Sequence, residues 1–527
     1  MKSLWEANAA IRSAIDQKII ALYDQIADMK EERNLVVPAS IVPNEVLARI
    51  FGMAVETSDL CQQMLQLMLV CRRWYRVAVA SPELWGDIHF WGAPSDRRLE
   101  AQLRLSGAVP LTICIGSLNT LAAANPVLAH ATRLTSLTLN GISESISDFT
   151  QKMIPHHFPC LKALSLDSRN PDGADVYATL PLELLDGHLP NLEELSLVRI
   201  DAPFRSLPPL QSVCLRGGKN SPSRLSLALV LDCLQASPAL HTLFLDMIIL
   251  PPAQEGTRSV RLPHLTTLYL HEDVDKCTAV LNQLEFPATA RLLLYPLGIE
   301  DNEDMDDLII PIRKHLRKPG APTPTQLFLE GPAPYDPEDS IFFTICVYGD
   351  SDSEALFSVN THPAGSSARR RILETLLTAL RAEDIAEIHI EAVLSPRSWK
   401  RMLPRLPAVR FVRICADRPG TQFLGSLLGS DDQLVTLRRI SVRMRIYFKD
   451  EGERDAVTAA FMDALEHVLR AYHERGQPVE QLIFRDRYGK SQLVENKSKE
   501  WGDAGLVGEV LGAKTPTWAD VATGFLD

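Results

Sequence analysis

Catalysis needs a nucleophile, an acid–base pair or metal ligands at workable spacing, and this 527-residue sequence offers few. It has no GxSxG nucleophile turn, no HExxH pair and no Walker A loop. Gly217-Gly218-Lys219 lacks both the preceding glycine and the following Ser or Thr that a phosphate cradle requires. His156 and His157 are adjacent, whereas two ligands on one helix face stand three or four positions apart. The nine cysteines, from Cys61 to Cys415, are scattered without a CxxC pair, so they read as reduced, buried thiols rather than a disulfide framework or a zinc site. No catalytic residue, cofactor or metal is expected. What remains is recognition chemistry. Phe244 and Tyr269, with Asp246 and His271 two positions beyond them, join aromatic anchors to polar neighbours in the way interface hot spots do. The competing reading is an ordinary amphipathic surface, because spacing alone does not show exposure.

Those four residues sit in a repeated phrase that must position them. An apolar residue, two others, an apolar residue, one other and an apolar residue recur as Leu134-Leu137-Leu139, Leu161-Leu164-Leu166, Leu192-Leu195-Leu197, Leu210-Val213-Leu215, Leu240-Leu243-Leu245 and Leu265-Leu268-Leu270. The starts are 27, 31, 18, 30 and 25 residues apart, near the period of leucine-rich repeats apart from the short third interval. Weaker copies stand at Ile385-Ile388-Ile390, Val409-Val412-Ile414, Leu437-Ile440-Val442 and Val479-Leu482-Phe484. Alternation points the last two apolar side chains inward from a short strand, and the first anchors the turn that enters it. Such strands stack in parallel, backed by return segments like Val127–His130, Leu225–Gln235 and Ile372–Arg381.

The N-terminal part is written differently. Ile15, Ile19, Leu22, Ile26 and Met29 recur at helical steps within residues 4–33, an amphipathic helix whose stripe either self-associates or packs on the next domain. Shorter helices follow. Pro43 suits a first turn, Glu45 sits where the dipole favours an anion, and Val46, Leu47, Ile50 and Phe51 share an edge. Leu65, Leu69, Val70, Trp74 and Val77 form a second helical pattern, which Pro82 ends. So small a helical segment cannot bury that many large side chains alone, and an apolar edge left over marks an interaction surface.

The run Val42-Pro43-Asn44-Glu45-Val46-Leu47, Ile50-Phe51, Val70-Cys71-Arg72-Arg73-Trp74 and Leu84-Trp85 resembles an F-box, whose pattern is LPxELLxxIF, then VCxxW, then LW. Val42 replaces the usual leucine, and residues 52–63 match loosely. A preceding helix and the ending SPELWGDI are similar to a large group of F-box proteins of mushroom-forming fungi. The resemblance implies a segment that binds a Skp-type adaptor, and through it a cullin, with Pro43 and Glu45 opening its first helix and Val46, Leu47, Ile50, Phe51, Val70, Cys71 and Trp74 supplying the adaptor-facing or core edge. The repeats resemble the irregular leucine-rich-repeat solenoids attached to F-boxes. Where those usually carry Asn or Cys, Ile142, Arg169, Ile200 and Gly218 stand here.

The expected fold class is therefore α + α/β: an amphipathic helix over 1–36, a three-helix F-box over 38–92, and a leucine-rich-repeat-like solenoid over 105–490. An insertion with a hairpin is expected near 296–370, with Ile341–Tyr348 and Glu354–Val359 as its strands, and a loosely ordered tail over 491–527 in which Trp501 and Trp518 could dock locally. Glu300–Asp307 reads as a solvated acidic loop or a dock for a basic partner. The expected function is a non-catalytic substrate receptor of an SCF-type ubiquitin ligase, its solenoid holding a target protein; a non-ligase scaffold is the alternative. A net charge of −12 argues against nucleic acid as a partner, and no signal peptide or spanning segment is visible, so a cytoplasmic or nuclear protein without membrane contact is expected.

Overall fold

The computed structural model describes the chain except residues 1, 39–40, 56–59, 91–95, 119–123, 170–175, 186, 203–207, 219–223, 251–257, 299–304, 332–342, 350–353, 362–365, 429–435, 445–450, 486–491 and 513–527. It divides into two compact units, Met1–Phe204 and Arg205–Asp527.

The first unit opens with four helices: α1 (Lys2–Leu35), α2 (Asn44–Ala54), α3 (Leu60–Met68) and α4 (Arg72–Val79). Pro43 caps α2 instead of lying in its first turn, and Glu45 is the acidic residue of that turn. A single-turn helix, Pro82–Trp85, leads into a parallel sheet of β1 (Asp87–Phe90), β2 (Leu111–Leu118), β3 (Leu134–Gly141), β4 (Ala163–Ser168) and β5 (Glu194–Val198). The first two strands carry no copy of the repeated phrase. They join because the alternation of Ile88 with Phe90, and of Leu111 with Ile113 and Ile115, buries one face.

The second unit contains β6 (Ser212–Arg216), β7 (Thr242–Asp246), β8 (Thr267–Asp273), β9 (Arg291–Leu297), β10 (Gln326–Glu330), β11 (Phe343–Tyr348), β12 (Phe357–Thr361), β13 (Glu387–Ile390), β14 (Phe411–Cys415), β15 (Arg439–Arg443), β16 (Val479–Arg485) and β17 (Val507–Gly512). Their spatial order is β6-β7-β8-β9-β12-β11-β10-β13-β14-β15-β16-β17, parallel throughout except for β11. In every phrase the last two apolar residues lie on a strand and are buried, as with Leu243 and Leu245. The residues between them, such as Thr242 and Phe244, stay half-buried, so helices cover one face of the sheet and leave the other open.

Three expectations change. The expected insertion is not set apart from the sheet: β10, β11 and β12 occupy consecutive places in it, in reverse order, and β12 starts at Phe357 instead of Glu354. Antiparallel pairing of β11 with both neighbours lets the chain return and still leave parallel edges for β9 and β13. Asp306 and Asp307 form the first turn of a helix, Asp306–Leu316, whose dipole favours them; residues 300–304 of that acidic stretch lie outside the described residues. The tail is ordered over 492–512. Helix Gln492–Asp503 buries Trp501 completely, and β17 extends the sheet in parallel, with Val507 beside Val479 and Val510 beside Leu482 of β16. Trp518 lies outside the described residues.

Candidate functional site

In the first unit, α2, α3 and α4 close a small core of Leu47, Phe51, Val55, Met64, Val77, Leu84 and Trp85. The Phe51 and Trp74 rings stand 5.0 Å apart at 55°, and the Trp85 indole donates to the Ala78 carbonyl at 2.7 Å. Arg73 donates to the Asn44 side chain at 2.9 Å and to the Val42 carbonyl, which ties the entry of α2 to α4. This arrangement sorts the nine adaptor-facing candidates. Leu47 and Phe51 are 3% and 1% exposed and pack in the core. Cys71 and Trp74 are half-buried. Pro43, Glu45, Val46, Ile50 and Val70 lie in water, with Val46 at 47% and Val70 at 57% exposed.

Other exposed apolar residues of this segment went unmarked as partner-facing in the sequence, among them Met53 on α2, Leu65 on α3, Leu69 just past it and Tyr75 on α4. Met53 was findable, because Val46, Ile50 and Met53 stand at i, i+4 and i+7 and share one helix face. An open groove of ≈ 1500 Å³ beside this segment is lined by Glu45, Met53, Val70 and Cys71 and, from α1, by Glu31 and Asn34. Arg72 bonds Asp28 at 2.8 Å, and Arg76 pairs with Glu31, so the end of α1 is tied to α4 by charge.

In the second unit, register places Phe244 directly beside Tyr269, and Asp246 beside His271. The two rings stack 3.7 Å apart at 5°, and Tyr295 follows at 5.0 Å from Tyr269. Burial pushes the Tyr269 phenol up. Asp246 is buried, because Arg216 Nε and His271 Nδ1 grip its two oxygens at 2.7 and 2.8 Å. Arg216 also lies over the Phe244 ring, 5.1 Å from its centroid. The four predicted residues thus share one aromatic and charged patch, to which the structure adds Arg216 and Tyr295. Behind it the buried Glu272 accepts from the Ile248 and Ile249 amides at 2.5 and 2.7 Å, and burial raises its carboxyl above the usual range.

Farther along the same sheet, Arg413 and Arg439 flank the Phe411 ring at 5.1 and 5.2 Å, and Glu391 meets His389 at 3.2 Å and Arg443 at 3.5 Å. The two arginines lie over the ring as cations, Glu391 pairs with Arg443 on the strand face, and the Cys415 thiol donates to Glu391 at 3.8 Å. Among the described residues no group of three His, Cys, Asp or Glu could hold a metal ion, and no helix is long and apolar enough to cross a membrane.

Comparison with known proteins adds a family for one segment. The F-box-like family matches residues 39–91, the stretch that holds α2, α3, α4 and β1. No curated protein matches the chain. Among solved structures the chain is similar to the crystal structure of the Rad7 and Elc1 complex from yeast, at 12% identity, over 83% of this chain and 95% of that one, with a TM-score of 0.31. A likeness that low carries no argument about fold or function.

Proposed function

We propose that the chain is a non-catalytic substrate receptor of an SCF-type ubiquitin ligase. Its F-box-like segment docks on a Skp-type adaptor that links it to a cullin, and its strand-rich part, an irregular leucine-rich-repeat solenoid with boundaries near 105 and 490, holds a target protein. The observation that carries this reading is the exposed apolar set Val46, Ile50 and Val70 on a segment matching the F-box-like family. A closed helical core that still shows such residues to water is built to cover them with a partner. The adaptor footprint proposed is Pro43, Glu45, Val46, Ile50 and Val70, with Met53 and Leu69 added and Leu47 and Phe51 assigned to the core beneath.

For the target, the proposed patch is Phe244, Tyr269 and Tyr295 with Arg216, Asp246 and His271. Stacked rings on stiff strands offer large contact area at little entropic cost, and the Arg216–Asp246–His271 chain supplies directional polar groups. The mechanism is proximity: a held target lysine meets the ubiquitin-charged enzyme at a raised effective concentration. This reading places the protein in the cytoplasm or nucleus. Co-expression with a Skp-type adaptor, followed by size-exclusion chromatography with mass determination, tests it. An equimolar complex is expected. A chain that elutes free of the adaptor would overturn the receptor reading and favour a scaffold.

A further inference from the structure

Helix α1 presents a stripe that its own chain does not cover. Ile11, Ile15, Ile19, Leu22, Ile26 and Met29 are between 43% and 62% exposed. At 3.6 residues per turn they fall within an arc of about 80°. The residues of α1 that do dock, Ala27, Glu31 and Asn34, lie on another face, roughly 130° round the axis, where the contact is ionic. The stripe is therefore not the buried side of a helix that has slipped out of contact. Residues 8–26 are exposed on every described side chain, whereas most helical stability in proteins comes from packing an apolar face.

The spacing says what could pack there. The stripe is narrow, the width of a seam for a single partner helix. Its inner part is symmetric about a point between Ile20 and Ala21, so that reversing it lays Ile19 on Leu22 and Ile15 on Ile26, with Ile11 and Met29 offset by one residue. Ile15 and Ile26 are 11 residues apart, a period that keeps two helices almost straight along each other.

We propose that α1 pairs antiparallel with α1 of a second copy of this chain along the Ile11–Met29 stripe. Six such side chains per copy, at roughly 90 Å² each, cover on the order of 1,000 Å² in total, the lower end for a specific interface.

The test is sedimentation equilibrium of the full chain over a dilution series, with a double variant carrying Ile19→Asp and Leu22→Asp. The wild type is expected to approach twice 58.6 kDa at high concentration and to dissociate on dilution. The variant is expected to remain a monomer, its dissociation constant raised by about 100-fold or more, with the thermal transition of the rest of the chain unchanged. A wild type that is monomeric throughout would overturn the proposal and leave a helix of another protein as the occupant. A variant that still dimerises would place the interface elsewhere and overturn it equally. Orientation has its own readout. An Ile15→Cys chain mixed with an Ile26→Cys chain should give a mixed disulfide on mild oxidation, above the wild-type background, whereas self-linking of either alone would show parallel pairing and refute the register.

Discussion

Changing Ile50 to Glu separates adaptor binding from folding. Ile50 is 43% exposed and points away from the core that Leu47 and Phe51 fill. In the free protein the new carboxylate reaches water, so the stability change should stay within about 1 kcal/mol. On docking, the variant loses the transfer of part of an isoleucine, about 1 kcal/mol, and must strip water from a charge, at least about as much again. A total of about 2 kcal/mol or more is a roughly 30-fold loss of affinity. The contrasting change is Phe51→Ala, which empties a ring-sized space beside Trp74 and should cost about 3–5 kcal/mol of stability. Isothermal titration against a purified Skp-type adaptor, with thermal melting followed by circular dichroism, reads both quantities. Binding by Ile50→Glu within about twofold of wild type would refute the proposed footprint.

Other outcomes follow from the same geometry. The Asp87 carboxylate, hydrogen-bonded to His89 at 3.0 Å, raises the imidazole to about 9 from its ordinary 6.5. Because the folded value is raised, this contribution to stability is complete below pH 6.5 and is lost as pH rises through about 9; denaturant midpoints of wild type and His89→Gln should converge across that window. Trp501→Ala should cost about 3–5 kcal/mol and lower the melting temperature, where a loosely ordered tail would predict no change. Asp246→Ala leaves Arg216 and His271 without their shared acceptor and should cost about 1–3 kcal/mol in urea unfolding.

The strands were legible because one rule, alternation at the last two apolar positions, repeats with little interruption; Leu243 and Leu245 follow it as closely as Ile440 and Val442. The rule says nothing of neighbours. It identified hairpin-forming runs near 341–359 but not that the hairpin would enter the sheet, since the order β12-β11-β10 depends on pairing between segments that carry no register signal. The tail was read as loosely ordered from its polar composition; Trp501 was marked as able to dock, whereas the strand after its helix carries no alternating pattern that would have shown it.

At the F-box-like segment the motif located the helices, yet motif positions mix core and surface. Leu47 and Phe51 are there to close a small core, and only packing distinguishes them from Val46 and Ile50 beside them. The aromatic patch was legible through Phe244 and Tyr269. Alternation gives a direction and says nothing of the Arg216 and His271 side chains that close over Asp246.

The measurement that bears most directly on the receptor account is recovery of a cullin on the immobilised chain, with and without a Skp-type adaptor, for the wild type and Ile50→Glu. The account predicts cullin on the wild type only when the adaptor is present, and a loss of about 30-fold in adaptor affinity, with cullin falling in step, for the variant. A wild-type chain that binds neither protein, or a variant that recovers as much cullin as the wild type, would contradict it.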